Sequence, residues 1–210
     1  MEVSALNEPT VVVKRVALSA LVVRYRDVER FAALCGECPN YGKNWACPPY
    51  DFDTGALVSA YSTAWLVGVK IPCARDSIAT TSPDENPAKR SVRIFMEAKE
   101  RVLDVLRAGE EKYPGAIALS AGGCARCAEC ARPRETCRFP GTARCSLESV
   151  GFDVSAIARD ELGIDMHWAK GGMPPYLTIV NALLLREEEA DGSEALGEAV
   201  RNALARERGK

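Results

Sequence analysis

The chain has 210 residues, a formal net charge of -2 and 47% hydrophobic residues. That is enough apolar material to bury a core without metal or disulfide staples, and the basic excess of a nucleic-acid-binding surface is missing. Nine cysteines are a high and odd count for this length, which argues against a fully paired disulfide framework and for metal or redox chemistry in a reducing, cytoplasmic setting.

In chain order, residues 1–10 read as a loose terminus. Val11–Val23 is apolar and β-branched, interrupted by Lys14 and Arg15, and reads as one or two strands. It loosely resembles a signal peptide, but Glu2 and Glu8 lie upstream and Arg24 and Arg26 follow with no small-residue cleavage site. Asp27–Leu34 reads as a short helix leading into Cys35, and Gly36–Asp53 as a loop rich in proline, asparagine and glycine. Asp53 caps a short helix carrying Leu57, Val58 and Tyr61.

Ala64–Ile71 reads as a buried strand and residues 72–86 as a polar connection. Asn86-Pro87 opens a helix, because proline at the first helical position gives up no useful hydrogen bond. Val92, Phe95, Met96, Val102, Leu103 and Leu106 then keep helical spacing. Ala116–Leu119 reads as a short strand, Gly122–Arg144 as a second cysteine-rich loop, and residues 154–162 as helix. Ile164–Trp168 and Tyr176–Leu185 read as strands joined across Gly171, Gly172, Pro174 and Pro175. Residues 193–206 read as an amphipathic helix with Leu196, Val200 and Leu204 on one face. The expected fold is a single α+β domain over 1–210, flexible at 1–10 and 186–192. It has a mixed sheet, packed helices and two cysteine loops brought together at one end. No apolar stretch is long enough to span a bilayer.

The first loop carries Cys35-x-x-Cys38 and then Cys47-Pro48-Pro49. The second carries Cys124-x-x-Cys127-x-x-Cys130 and then Cys137. Two thiolates at C-x-x-C reach one metal while the intervening amides turn inward to donate to sulfur. Three at C-x-x-C-x-x-C wrap three corners of a cubane cluster, as in bacterial ferredoxins, with a fourth ligand from elsewhere. Here the next cysteine is six residues on and is followed by Arg138, which departs from the ferredoxin run. Zinc is the competing reading, because Cys35, Cys38, Cys124 and Cys127 form two pairs of the kind that zinc takes. That leaves Cys47, Cys130 and Cys137 without a role. Two four-iron clusters need eight ligands, so Cys145 or Cys73 would complete the second, or one iron would keep an open or non-cysteine site.

The string Cys35-x-x-Cys38-x-x-Tyr41-Gly42-Lys43-x-Trp45-x-Cys47-Pro48-Pro49 resembles the opening signature of a prokaryotic family of predicted cysteine-rich metal-binding proteins of unknown function. The second half also resembles that family: Gly123-Cys124-x-x-Cys127-x-x-Cys130, Cys137-Arg138-x-Pro140, and Arg144-x-Ser146-x-Glu148-x-x-Gly151-x-Asp153-Val154. The resemblance spans about residues 30 to 185. It implies a metal site, most plausibly iron–sulfur, in an anaerobe's protein, with the seven loop cysteines on the family pattern and Cys73 and Cys145 off it.

Other residues carry two readings each. Tyr41, Trp45 and Tyr50 shield a cluster from water or form a hydrophobic plug in a long loop. Arg126, Arg132, Arg134, Arg138 and Arg144 offset cluster charge, bind an anion, or pair with Glu129, Glu135 and Glu148. Arg138, Arg144 and the lone His167 are the candidate catalytic groups. Three functions follow. One is an iron–sulfur protein with one or two 4Fe-4S clusters that passes electrons to a redox partner protein. Another is an iron–sulfur enzyme with an open iron for a small anionic substrate. The third is a non-catalytic zinc module. Whether the chain is an enzyme stays open, and neither nucleic acid nor membrane is an expected partner.

Overall fold

The computed structural model describes residues 8–73, 87–167, 174–186 and 192–205. Its elements are β1 (Thr10–Ala17), α1 (Leu18–Tyr25), α2 (Val28–Gly36), α3 (Thr54–Ser59) and β2 (Thr63–Pro72). They continue as α4 (Pro87–Lys112), β3 (Ile117–Leu119), a 3-10 turn (Glu148–Val150), α5 (Val154–Leu162), β4 (Tyr176–Leu185) and α6 (Ser193–Ala205). Four strands form one sheet in the order β1-β2-β4-β3. An α+β fold results.

The sheet is antiparallel through all its named strands, where a mixed sheet was expected. The one parallel pairing among the described residues is the isolated bridge between Ser120 and Ser146. β2 and β4 are central and carry continuous apolar runs because both of their faces are covered. Ala64, Leu66, Val180, Ala182 and Leu184 face α1 and α5. Trp65, Val67, Val69, Ile179, Leu183 and Leu185 face α4 and α6. Period-two alternation thus feeds two cores rather than a core and solvent.

The helix starts follow local chemistry. Asp27, Asp53 and Asp153 each turn a carboxylate onto an amide of the first turn of α2, α3 and α5. α1 has no such cap, and Leu18–Val23 is helix rather than the continuing strand that its β-branched residues suggested. It starts directly from β1, where the Leu18 amide bonds Ser62 O at 2.8 Å, and it buries Leu18, Leu21 and Tyr25 on one face. Tertiary burial at helical spacing outweighs local β preference here.

Ile164–His167 forms no strand; Trp168, Gly171 and Gly172 lie outside the described residues, as do 1–7, 74–86 and 187–191. The Ile164 amide instead bonds Ala158 O at 2.8 Å and closes α5. Its side chain and that of Leu162 drop onto Gly68 in β2, where a Cβ would lie 2.7 Å from Ile164 Cδ1. A Cβ there would push the ends of both side chains aside.

Glu161 at the end of α5 ties this layer to the sheet edge. It accepts from Lys14 Nζ, Arg24 Nη1 and Tyr25 Oη, each at 2.7 Å. The Lys14 and Tyr25 hydrogen bonds hold its carboxyl below the usual carboxylate range, while burial and this carboxylate push the Tyr25 phenol up to about 12. A depressed folded pKa stabilises the fold above the unfolded carboxylate pKa, and that stabilisation fades as pH falls through the folded value. Glu161→Gln therefore loses about 1–2 kcal/mol near neutral pH, since hydrogen bonds to a charged group are at stake but two partners are exposed. In urea titrations, the gap from wild type narrows below about pH 4. A gap that widens in acid would contradict this account.

Candidate metal centre

The second cysteine loop follows β3, and the two cysteine loops are bonded to each other. Asn44 in the first loop is the clasp. Its Nδ2 donates to Cys124 O at 2.8 Å, and its Oδ1 accepts from the Cys124 amide at 3.2 Å and the Ala46 amide at 3.0 Å. From the second loop, Arg132 Nη1 donates to Cys47 O at 2.6 Å and Asn44 O at 3.1 Å, and Nη2 donates to Pro49 O. The same guanidinium lies over the Trp45 ring, and Trp45 Nε1 donates to Glu135 O at 3.2 Å. Gly123 runs against this clasp; a Cβ there would meet Cys47 Sγ at 3.1 Å and Asn44 Nδ2 at 3.3 Å.

The second loop is also fastened to α4 by a polar stripe beside that helix's apolar one. Lys99 Nζ donates to Gly123 O, Glu100 and Asp104 take Arg126, and Arg107 donates to Thr142 O. Glu110 takes Arg144 in a fork, with Nε to Oε1 at 2.7 Å and Nη2 to Oε2 at 2.5 Å, and its Oε1 also accepts the Ala118 amide at 2.6 Å. Positions 99, 100, 104, 107 and 110 recur at helical spacing, so this docking face was visible in the sequence once the loop arginines had been given partners.

The cysteines fall into two groups. Cys124, Cys127, Cys130 and Cys137 line one narrow pocket of about 10 Å³ together with Trp45, Arg138 and Phe139. Cys35, Cys38 and Cys47 line a second, open cavity of about 660 Å³ that also takes in Gly122, Gly123, Ser146, Glu148 and the start of α5. The pairs Cys35/Cys38 and Cys124/Cys127, offered above as one zinc site, lie on different cavities. Cys145 lines neither, and its side chain packs against the core beneath α1 and α5. Cys73 follows β2, with its thiol 3.8 Å from Ile71 O.

Burial acts on the thiols nearest the joint between the loops. It pushes the Cys47 thiol up to about 11, with Cys38 and Cys35 adding to the effect, and raises Cys35, Cys124 and Cys145 as well. Reactive redox thiols have the opposite character, a depressed pKa in electropositive surroundings. Between the groups sits Lys99, which is fully buried. Burial lowers its pKa, while Glu100, Cys124, Cys47 and Glu148 oppose that. Lys99 went unnoticed in the sequence because a lysine in a charged helix looks like any solvated one. Glu148 was read as a counter-ion for the loop arginines. It is instead half-buried in the 3-10 turn, with its Oε2 shut from solvent and without a hydrogen-bond partner, and desolvation raises its pKa.

The remaining candidates have mainly structural contacts. Arg138 Nη1 donates to Glu129 O at 2.9 Å and stays within its own loop. His167 packs edge-on to Tyr176 at 4.7 Å and lines a different cavity of about 380 Å³, with Phe95, Met96 and Val92. Tyr50 stacks on Phe52 and donates to Ala46 O or Ser149 Oγ, each at 2.7 Å, so it plugs the first loop. Trp45, Tyr41 and Phe139 stand partly exposed.

The seven loop thiols thus divide between two cavities, with the two loops bonded to each other and the second fastened to α4. This chain belongs to the family described as predicted metal-binding protein (DUF2284). The family model matches residues 20–185, so it takes in both cysteine loops and β2, β3 and β4, and leaves β1 outside. Neither a curated protein nor a solved structure matches the chain. Among the described residues, no helix is long and apolar enough to cross a membrane.

The donor set bears on which group this DUF2284 member would hold. Among the described residues, no three cysteine, histidine or carboxylate side chains are gathered closely enough to hold a single metal ion. Four thiols border one pocket and three another, a donor chemistry that a metal ion or a metal–sulfur group can use. The narrow pocket would have to spread to admit one, and it is walled by loop rather than by helix or strand.

Proposed function

We propose that this DUF2284 protein is an iron–sulfur protein that transfers electrons to a redox partner. The observation that carries this reading is the division of the seven loop cysteines by cavity, four and three, in two loops bonded to each other. Cys124, Cys127, Cys130 and Cys137 would hold one cluster, and Cys35, Cys38 and Cys47 three corners of another. A four-iron cluster supplies a one-electron couple when bound. The chain's own residues tune and expose it. Lys99 places a cation between the two thiol groups, and the partly exposed Trp45 and Phe139 form the wall of the four-thiol pocket nearest solvent.

The reading is tested by purifying the protein without oxygen and measuring iron, zinc and acid-labile sulfide. Brown protein absorbing broadly near ~400 nm, with about eight irons per chain, is the expected result. Colourless protein with stoichiometric zinc overturns it. The tightness of the four-thiol pocket favours zinc there as a second reading, because a single ion needs little room. The open cavity beside the three thiols favours an enzyme with an accessible iron as a third, tested by adding small anions and watching the reduced-state paramagnetic resonance.

Lys99→Met should make reduction harder. At an effective dielectric of about 20 a nearby unit charge is worth on the order of 1 kcal/mol or more, and loss of the cation removes that from the reduced state. The expected shift is on the order of tens of millivolts toward negative potential. An unchanged or more positive potential in a redox titration would show that Lys99 does not face the clusters.

A further inference from the structure

The three-thiol cavity lacks a fourth cysteine. Cys35, Cys38 and Cys47 share it, Cys73 is elsewhere, and Cys145 turns its side chain into the core. Cys145 is near enough to Cys47 for their charges to interact, yet it lines neither thiol cavity.

Glu148 does line that cavity. It stands in the 3-10 turn Glu148–Val150, which the bonds among Ser146, Leu147 and Ser149 hold rigidly. Ser149 Oγ donates to Ser146 O at 2.8 Å, the Ser146 amide donates to Ser149 Oγ at 3.0 Å, and the Val150 amide bonds Leu147 O at 3.3 Å. Its Oε2 is shut from solvent without a hydrogen-bond partner. A buried carboxylate oxygen left unpaired costs more than a hydrogen bond gains, so such an atom in a rigid turn calls for a partner. The Ser146 hydroxyl and the Lys99 ammonium act on this carboxyl, and the thiols that share its cavity are Cys35, Cys38 and Cys47. After burial, the charge of Glu148 is the next largest influence on the Cys35 thiol, and both residues line the same cavity.

We infer that the Glu148 carboxylate is the fourth ligand of the iron–sulfur group held by Cys35, Cys38 and Cys47. This inference rests on the iron–sulfur reading above. A carboxylate is an acceptor that an iron takes directly, and it needs no donor from the protein once bound. It also accounts for the absence of a fourth cysteine on the larger cavity. Because carboxylate oxygen is a harder and more weakly held ligand than thiolate, that iron is the one a small ligand entering the 660 Å³ cavity would reach first.

The test uses full-length protein purified without oxygen, with iron content and reduced-state paramagnetic resonance as readouts. Glu148→Ala should lose about half of the iron, or keep it with an altered first-loop signal. Glu148→Cys should keep the iron and move that signal, since sulfur replaces oxygen on one iron. Glu148→Gln, close in shape, guards against loss of fold and should behave as the alanine variant does. Cys145→Ser should match wild type in both readouts. Spectra and iron content unchanged in all three Glu148 variants overturn the assignment, as does iron loss in Cys145→Ser with none in Glu148→Ala. Wild-type protein without iron overturns the iron–sulfur reading itself and this assignment with it, a result distinct from iron-replete wild type with silent Glu148 variants.

Discussion

On the proposed iron–sulfur reading, Cys127→Ser should leave the anoxically purified protein with about half of its iron and acid-labile sulfide, and with a single cluster signal instead of two. Cys127 is the middle thiol of the four that line one pocket, and the three first-loop thiols line another, so the loss falls on one group alone. Serine oxygen is a poor substitute for thiolate at iron, and no spare cysteine borders that pocket. The loop itself should hold its place, because α4 fastens it at Gly123, Arg126, Thr142 and Arg144 independently of metal. Cys73→Ser is the control and should leave iron untouched. Unchanged iron in Cys127→Ser would count against the ligand set, and loss of all iron would show that the two groups depend on each other.

Arg144→Ala should destabilise the unloaded protein by about 2–4 kcal/mol, the cost of leaving the buried partner of an ion pair uncompensated, reduced a little for partial solvent access. The fork from Arg144 to Glu110 is mostly buried, with side chains 19% and 13% exposed. Arg144 Nη1 is also spent, donating to Ala143 O at 2.9 Å and to Gly141 O. All three guanidinium nitrogens thus serve the joint between the second loop, α4 and β3. Arg144→Lys keeps a charge but not the fork, and should recover only part of the loss. Urea denaturation of the metal-free chain reads the difference. A variant as stable as wild type would mean that the fork contributes nothing to the fold and would free Arg144 for a role toward a bound anion.

Much of the scaffold was legible residue by residue. Asp27, Asp53 and Asp153 each mark a helix start by local chemistry, and the runs at Ala64 and Tyr176 mark strands by composition alone. Where a segment's local preference and its tertiary surroundings disagree, the reading failed. Leu18–Val23 favours strand by side-chain type but is helix because its buried residues meet the sheet at helical spacing. Ile164–His167 has a strand's composition but does not pair into the sheet, and Ile164 is used to close α5 on Gly68.

The sequence by itself determined that this protein carries thiols in metal-binding spacing, because C-x-x-C is a local geometry that a loop imposes on itself. It also determined that the segments flanking those thiols form an α+β scaffold. Only the tertiary structure decided how the thiols divide, since that depends on Asn44 reaching Cys124 and Arg132 reaching Cys47 across 80 and 85 residues of chain. The same holds for Lys99 and Glu148. A charged residue becomes part of a site only when its surroundings exclude water, and burial is a property of the folded whole.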